Sequence, residues 1–210
     1  MIFSLPERCF FPGDRIAIAP DRKIAKQPKI LADFIAAVLE REITESDIVL
    51  LLTEQEFKEK EAAIRDAVSQ KLSNSLGPSL RIVCHQPGNR REISFLGANR
   101  RGEPIGICRE LADADFVIPI CEKSGEYGIH TGLFPRFGDR ETQMRFAEAE
   151  SSGKMSSQLR KRLTDDVEEA ANLLGVIFTV QIVKNSATEN MKAGINATIV
   201  PEIIQVPQSH

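Results

Sequence analysis

The segment Arg15-Ile16-Ala17-Ile18-Ala19 is short, apolar and closed by Pro20. An apolar run of this kind, entered from a turn at Pro12-Gly13-Asp14, is typical of a strand that is buried on both faces of a sheet. Apolar residues then recur at helical spacing from Ile30 to Leu39, and Asp47–Leu52 again has the composition of a buried strand. The sequence therefore predicts a strand, a helix and a second strand parallel to the first.

The segments that follow continue this alternation of helix and strand. Residues 56–72 are rich in Glu, Lys and Ala with a sparse apolar face, which predicts a helix on the surface of the sheet. Two short runs flank a polar, glycine-bearing loop at residues 97–102 and predict an appended β-hairpin. The strands predicted in this part of the chain are Leu80–Cys84, the hairpin strands Glu92–Leu96 and Pro104–Cys108, and Phe116–Ile120.

The C-terminal part predicts two more helices and a pair of closing strands. The second helix has Thr164 as a candidate N-cap and Gly175 after its last turn. The fold class expected is α/β, with a mostly parallel Rossmann-like sheet flanked by helices and an appended β-hairpin, in a single domain over residues 1–210 with no second domain. The C-terminal elements are the helices Glu141–Gly153 and Leu163–Leu174 and the strands Val176–Val183 and Ala193–Val200.

Composition and charge exclude several classes of protein. With 210 residues, 42% hydrophobic and 27% charged, the chain is neither disordered nor fibrous. Its formal net charge of -3 gives no field that gathers nucleic acid or an anionic membrane, so we expect neither as a partner. The four cysteines lack CxxC spacing and the three histidines are dispersed, so we expect reduced thiols and no metal site. The start lacks the layout of a signal peptide, which favours a cytoplasmic location.

Candidate functional residues lie in three segments that follow predicted strands, at the edge where α/β sheets bind ligands. These are residues 20–28, residues 53–56 and the irregular stretch 121–140, whose glycines and prolines predict a functional or mobile loop. Each segment also has an interpretation without a ligand. The cations of residues 20–28 can be a solvated charge run, and the acidic residues of 53–56 are favoured at a helix N-terminus. In the stretch 121–140, His130 can be an ordinary loop histidine and Cys121 an inert buried thiol. The candidate ligand-binding residues are Asp21, Arg22, Thr53, Glu54, Cys121, Tyr127, His130 and Thr131.

Several short segments occur together in a characteristic order: Gly13-Asp14-Arg15-Ile16, His85, Phe95-Leu96-Gly97, Arg101-Gly102-Glu103-Pro104-Ile105, 112–118, Pro135, Arg140-Glu141-Thr142, 166–171 and 174–178. In this order and spacing they resemble the N-terminal domain of the nickel-pincer lactate racemase family over roughly residues 12–185. The resemblance implies an α/β domain that holds a nickel pincer nucleotide, which accepts a hydride from a 2-hydroxy acid.

The residues that carry the family's chemistry are mostly replaced in this chain. Ala25 stands near the position where the resemblance implies a substrate-binding arginine, and residues 53–56 replace a loop with a catalytic histidine. Cys121 and Thr131 stand near the implied second histidine and the lysine that tethers the cofactor. Residues 143–162 contain no histidine for nickel. We therefore expect no tethered nickel pincer nucleotide.

Two hypotheses of different class follow. The first is a stand-alone domain without racemase activity that binds a small anionic ligand or a partner chain in the crevice. The alternative is a racemase or epimerase acting on a 2-hydroxy acid, with altered active-site residues or completed by a separate chain. A purely structural role is a third. We also expect Arg22 and His130 to lie in exposed loops, and Phe116 to be buried so that its truncation costs about 3 to 5 kcal/mol.

Overall fold

The computed structural model describes residue 5 and residues 9–72, 80–122, 125–151, 155–184 and 191–197. The strands, in chain order, are β1 (Ile16–Pro20), β2 (Ile48–Thr53), β3 (Arg81–His85), β4 (Ile93–Ala98), β5 (Pro104–Cys108), β6 (Phe116–Cys121), β7 (Phe178–Lys184) and β8 (Met191–Ala197). The helices are α1 (Arg22–Ala25), α2 (Pro28–Leu39), α3 (Glu54–Lys71), α4 (Arg109–Ala112), α5 (Arg140–Ser151) and α6 (Ser157–Leu173).

Six strands form one sheet in the order β3-β2-β1-β6-β7-β8. The first five are parallel to one another, and β8 pairs with β7 in the antiparallel direction. Strand β1 lies at the centre and pairs with both β2 and β6, so the chain reverses its direction of travel across the sheet at this point. The predicted α/β class with a mostly parallel Rossmann-like sheet is confirmed.

Each face of the sheet carries its own hydrophobic core. Ile16 and Ile18 of β1 pack into the core on the side of α2 and α3, whereas Ala17 and Ala19 pack into the core on the side of α6. This alternation follows from the two-residue period of a strand. Because both faces are covered, β1 is apolar at every position, which is why its sequence predicts a buried strand so clearly.

The appended hairpin is formed by β4 and β5, and it contains an irregularity between Phe95 and Gly97. Beyond the hairpin loop, Asp166 of α6 is almost completely buried and accepts hydrogen bonds from Arg101 Nη2 and Asn99 Nδ2 at 2.6 and 2.9 Å. These contacts fasten the loop to the helical layer. The predicted hairpin is thereby confirmed as part of the structure.

One predicted helix boundary is wrong. Helix α6 begins at Ser157, and its N-cap is Ser156, whose side chain accepts a hydrogen bond from Leu159 N at 3.1 Å, so Thr164 lies within the helix. Leu159 and Leu163, four residues apart, both pack against the core on the side of α6, so the helical spacing extends one turn before the predicted start. Gly175, at a φ of 65°, follows the helix end as predicted. Residues 152–153 and 198–200 of the predicted elements lie outside the described part of the chain.

Two burial predictions are also wrong. His130 is 2% exposed, because the segment that follows β6 folds into a short 3-10 turn (Ile129–Gly132) packed against α6. Phe116 is half-buried, since it is the first residue of β6 and packs edge-to-face on Phe10 with ring centroids 5.2 Å apart. No helix in the described ranges is long and apolar enough to cross a bilayer.

Candidate binding site at the carboxyl ends of β1 and β6

A pocket of about 530 Å³ lies where β1 and β6 end side by side. We call it the β1–β6 crevice. The chain leaves β1 at Asp21, whose N–H donates to the carbonyl of Ile120 at 2.8 Å, so the two strand ends are held together. The lining residues are Asp21, Arg22, Lys23, Cys121, Glu122, Gly125, Ile129, Thr131, Gly132, Pro135, Arg136 and Glu150.

The side chain of Asp21 is committed to the backbone of the crevice. Its Oδ1 accepts hydrogen bonds from the N–H groups of Lys23 and Ile24 at 2.7 and 3.1 Å, as expected for the N-cap of α1. Arg22 and Lys23 are exposed, and within the described part of the chain neither side chain forms an ion pair. The structure therefore brings two cations to the mouth of the crevice.

The opposite wall is a tight turn over residues 125–132. A Cβ on Gly132 would lie 2.7 Å from the Cβ of Asp21, and one on Gly125 would lie 2.6 Å from the Cβ of Thr131. The Thr131 hydroxyl donates to the carbonyl of Gly128 at 2.8 Å and accepts from Tyr127 N–H at 3.2 Å. These close approaches need glycine, and they give the predicted ligand residue Thr131 a structural role in the wall.

Arg136 is not among the candidates that the sequence indicates. It lines the crevice and forms an ion pair with Glu56 of α3. Both side chains are largely buried, and the Glu56 carboxylate also accepts from Thr53 N–H at 3.1 Å. Burial is the largest influence on the Glu56 carboxyl and disfavours its charge, but Arg136 and Thr53 together outweigh it and lower its pKa. The spacing Thr53-x-x-Glu56 signals the capping box at the start of α3, whereas nothing in it indicates the distant arginine.

Cys121 lies in the crevice but is poorly suited to act as a nucleophile. Burial, together with the negative charge of Asp21, raises the pKa of its thiol to about 11. A thiol with this pKa is protonated near neutral pH, and only the thiolate is strongly nucleophilic. Cys121 is therefore better described as an inert buried thiol than as a nucleophile.

Tyr127 is completely buried rather than free in a loop. Its ring packs edge-to-face on Phe146 with centroids 5.3 Å apart, and its hydroxyl donates to Glu150 Oε1 at 3.3 Å. Burial, reinforced by the charges of Glu150 and Glu126, raises the pKa of Tyr127 to about 12. The phenol is thus a core group that orients Glu150, a residue of the crevice wall.

His130 is buried beneath the same turn and does not line the crevice. Its Nδ1 lies 3.5 Å from Glu168 Oε2, beyond good hydrogen-bond geometry. Burial lowers the pKa of His130, and the nearby Glu168 carboxylate opposes that effect without cancelling it. The imidazole is therefore neutral near pH 7, and the structure does not bring it together with Cys121 in the pocket.

Thr53 and Glu54 lie in a different place from the β1–β6 crevice. They line a cleft of about 520 Å³ at the ends of β2 and β3, together with His85. Glu54 is exposed and forms an ion pair with Lys58 at 2.5 Å. The structure therefore separates the predicted site residues: Asp21, Arg22, Cys121 and Thr131 share the crevice, Thr53 and Glu54 line this cleft, and Tyr127 and His130 line neither.

At the position that the resemblance assigns to the tethering lysine, the residue present does not fit a tethered nickel pincer nucleotide. At the position near the implied tethering lysine stands Thr131, whose hydroxyl is occupied by the turn, and an alcohol cannot form the amide-type link that an amine makes. Over the described ranges, no group of three His, Cys, Asp or Glu side chains is arranged to hold a metal ion. We derive no chemical step through that cofactor.

The fold defines a Rossmann-like α/β domain with its pocket at the switch point of the sheet. No protein-family model and no curated protein matches the chain. A similar structure is that of the lactate racemase apoprotein from Thermoanaerobacterium thermosaccharolyticum, with a TM-score of 0.57 and 15% sequence identity over 87% of this chain and 46% of the racemase chain. The chain thus spans about half the length of that racemase. At this identity the likeness shows the fold alone.

Proposed function

We propose that this protein binds a small anionic ligand in the β1–β6 crevice and has no racemase activity of its own. The observation that carries the proposal is that the carboxylates around the pocket accept hydrogen bonds from the protein, whereas two cations at its mouth form no ion pair. Arg22 and Lys23 are cations at its mouth without an ion-pair partner in the described part of the chain, and they stand at the switch point where such sheets bind ligands. A cytoplasmic location, favoured by four free thiols, belongs to the same proposal.

The acidic residues of the crevice support this choice of ligand charge. Asp21 accepts from two backbone N–H groups, Glu122 accepts from Gln27 Nε2 at 3.0 Å, and Glu150 accepts from the Tyr127 hydroxyl. Carboxylates that already accept hydrogen bonds offer less to a cationic ligand than unengaged guanidinium and ammonium groups offer to an anion. A carboxylate or phosphate of modest size fits both the charge and the volume.

Isothermal titration calorimetry with L-lactate, D-lactate and inorganic phosphate tests the proposal. We expect at least one of these anions to bind the unmodified protein, with affinity that weakens as salt is added. Replacing both cations, Arg22→Gln with Lys23→Gln, should weaken binding by about tenfold or more, since charged hydrogen bonds contribute about 1.5 to 3 kcal/mol each. The matched control is Lys58→Gln, an exposed cation outside the crevice, which should leave the affinity unchanged.

Two results would contradict the proposal. One is the absence of binding heat for all three anions when each is added to millimolar concentration. The other is binding that survives the double substitution of Arg22 and Lys23 unchanged. If the crevice instead receives a segment of a partner chain, the anions fail to bind, and the same double substitution weakens the capture of an acidic peptide.

The alternative function is a racemase or epimerase that acts on a 2-hydroxy acid. The specific observation in its favour is the likeness to the lactate racemase apoprotein over 87% of this chain. Such an enzyme would use altered active-site residues or would be completed by a separate chain. Its crevice chemistry would have to proceed without Cys121 as an ionised thiol and without His130, which is buried away from the pocket.

The alternative is tested on the purified protein by three measurements. These are nickel content by elemental analysis, the mass of the intact chain, and conversion of L-lactate to D-lactate. Stoichiometric nickel, a covalent mass increase or measurable conversion supports the enzyme. A bare polypeptide that leaves L-lactate unchanged excludes this chain as a racemase acting alone.

A further inference from the structure

Strand β4 of the hairpin has one edge without a strand partner in the described part of the chain. It pairs with β5 in a two-stranded sheet that is separate from the main one. Edge strands are usually protected from further pairing by charged residues or proline, and β4, with the sequence Ile-Ser-Phe-Leu-Gly-Ala, contains neither. The straight part of the strand ends at the irregularity after Phe95. Its first half is therefore open to an added strand.

The backbone of β4 is oriented for such pairing. On β5, the carbonyl of Gly106 and the N–H of Cys108 are bonded at 3.1 and 2.8 Å to the segment 137–139, on the side away from β4. Their cross-strand partners are Phe95 and Ile93. In an antiparallel pair, opposite residues direct their N–H and C=O groups either toward each other or both away. Phe95 and Ile93 therefore direct theirs outward, along the free edge.

The side chain of Phe95 adds an apolar contact at this edge. It is 69% exposed, the highest value among the large apolar side chains of the described residues. Ile93, two residues earlier on the same face, is half-buried. Aromatic and β-branched side chains that lie opposite each other on neighbouring strands stabilise the pairing of those strands. An apolar residue of an added strand would pack against Phe95 in this way.

The charges beside the edge indicate what else the added strand carries. Arg90, Arg91 and Arg109 are exposed, and none of them forms an ion pair in the ranges that the structure describes. Arg109 Nε donates to the carbonyl of Arg91 at 2.9 Å, which holds its guanidinium beside the start of β4. The neighbouring carboxylates are already engaged, since Glu92 accepts from a side-chain amide and Glu110 pairs with another arginine. Three cations thus lie without a counter-charge at one end of the free edge.

We propose that the β4 edge, formed by residues 90–95 and Arg109, binds an acidic, extended segment of another protein as an added strand. The main chain of that segment pairs with Ile93 and Phe95, and one of its apolar side chains packs on the Phe95 ring. Its carboxylates lie beside the three arginines. No residue of the β4 edge lines the β1–β6 crevice, so this interaction is independent of the proposed anion site.

An acidic peptide fits the β4 edge better than a nucleic acid does. The formal net charge of the chain is -3, which opposes the approach of a long polyanion. The outward N–H and C=O groups of a strand are matched by another peptide backbone, whereas a phosphate backbone has no N–H groups to offer. The arginines then select among peptides by charge.

The test uses a fluorescein-labelled heptapeptide of alternating glutamate and valine, titrated with the full chain and followed by fluorescence anisotropy. We expect saturable binding that weakens as salt is added. Arg90→Gln with Arg91→Gln should weaken binding about tenfold, and Phe95→Ser about threefold. All three side chains are exposed, so the variants should remain folded, and circular dichroism checks this.

Hydrogen exchange of the Phe95 amide separates strand addition from attraction by charge alone. Pairing gives this N–H a carbonyl partner, so its exchange rate, measured by NMR, should fall about tenfold or more at saturating peptide. The matched control is Arg22→Gln with Lys23→Gln, which removes two exposed cations at the β1–β6 crevice. It should leave peptide binding unchanged while it weakens anion binding, so the two proposals fail or succeed separately.

Five results would overturn the inference. Two are the absence of peptide binding and equal binding of a heptapeptide with lysine in place of glutamate. A third is Phe95 amide exchange that saturating peptide leaves unchanged. A fourth is tighter binding of a single-stranded oligothymidylate than of the peptide, which would make the edge a nucleic-acid surface. The last is a dimer in sedimentation velocity that Phe95→Ser dissociates, which would make a second copy of this chain the occupant.

Discussion

The ion pair between Glu56 and Arg136 joins helix α3 to the wall of the β1–β6 crevice, and its removal should both destabilise the protein and loosen the pocket. The perturbation is Glu56→Ala. It leaves Arg136 largely buried without its carboxylate and leaves Thr53 N–H without the acceptor that closes the capping box. Both losses act at the start of α3.

The expected cost follows from the burial of the two side chains, which are only 4% and 13% exposed. Breaking a buried ion pair by removing one partner costs about 3 to 5 kcal/mol, because the remaining charge is left uncompensated. For a chain of 210 residues this corresponds to a fall in Tm of about 6 to 20 °C. Since the pKa of Glu56 is lowered in the folded state, the contribution is present above pH 4.5 and is lost as the pH falls below that value.

Urea unfolding monitored by circular dichroism at pH 7 and at pH 4 measures the effect. The matched control is Glu54→Ala, which removes a carboxylate two residues away on the same helix that is exposed and pairs with exposed Lys58. The control should leave the midpoint unchanged. A Glu56→Ala protein as stable as the Glu54→Ala protein at pH 7 would show that the buried ion pair does not stabilise the fold.

Three further predictions concern the buried polar groups and the turn. Burial lowers the pKa values of His85 and His130, so as the pH falls these histidines bind protons in the unfolded chain before they do in the folded protein. The free energy of unfolding should therefore fall as the pH drops below about 6.5. Urea midpoints that stay constant from pH 7 to pH 5 would contradict this. Gly132→Ala should lower both Tm and anion affinity in parallel thermal and calorimetric assays, because the added Cβ meets the opposite crevice wall at 2.7 Å. Asp166→Ala should cost about 3 kcal/mol in urea unfolding and exposed Asp165→Ala less than about 0.5; equal costs would argue against the buried cluster.

The parallel core was predictable because burial on both faces removes any polar position from a strand. Ile16–Pro20 and Ile48–Thr53 are buried along almost their whole length, and their apolar composition indicates this without further information. Gly175 was predictable for a different reason, since a helix that ends in the left-handed conformation favours glycine. These signals are local in sequence, so a single chain suffices to find them.

The candidate site was predictable only in part, because its decisive contacts are distant in sequence. Asp21, Arg22, Cys121 and Thr131 meet in one pocket, as expected from strands that end at the same edge. Arg136 pairs with a carboxylate 80 residues earlier, and no local pattern indicates that pairing. Tyr127 was expected among the ligand-binding residues of an open loop, but its side chain is completely buried in the core.

The buried state of His130 shows that the segment after β6 is packed against the rest of the domain and is not an exposed loop. Glycines at 125, 128 and 132 suggest a mobile loop, yet here they allow the chain to pack closely on itself and on Asp21. The apolar residues that follow them, Leu133, Phe134 and Phe137, then fill the core on the side of α6. Glycine content alone therefore does not separate a mobile loop from a tightly packed one.

Anion binding beside Arg22 and Lys23 at the end of β1 can be measured directly on the ¹⁵N-labelled protein. Backbone amide chemical shifts are followed during separate titrations with L-lactate and inorganic phosphate. We expect the largest shifts for at least one anion to fall on residues 21–23 and on the turn at Ile129–Gly132, and to saturate. Saturating shifts elsewhere, or none at these residues with either anion, would contradict it.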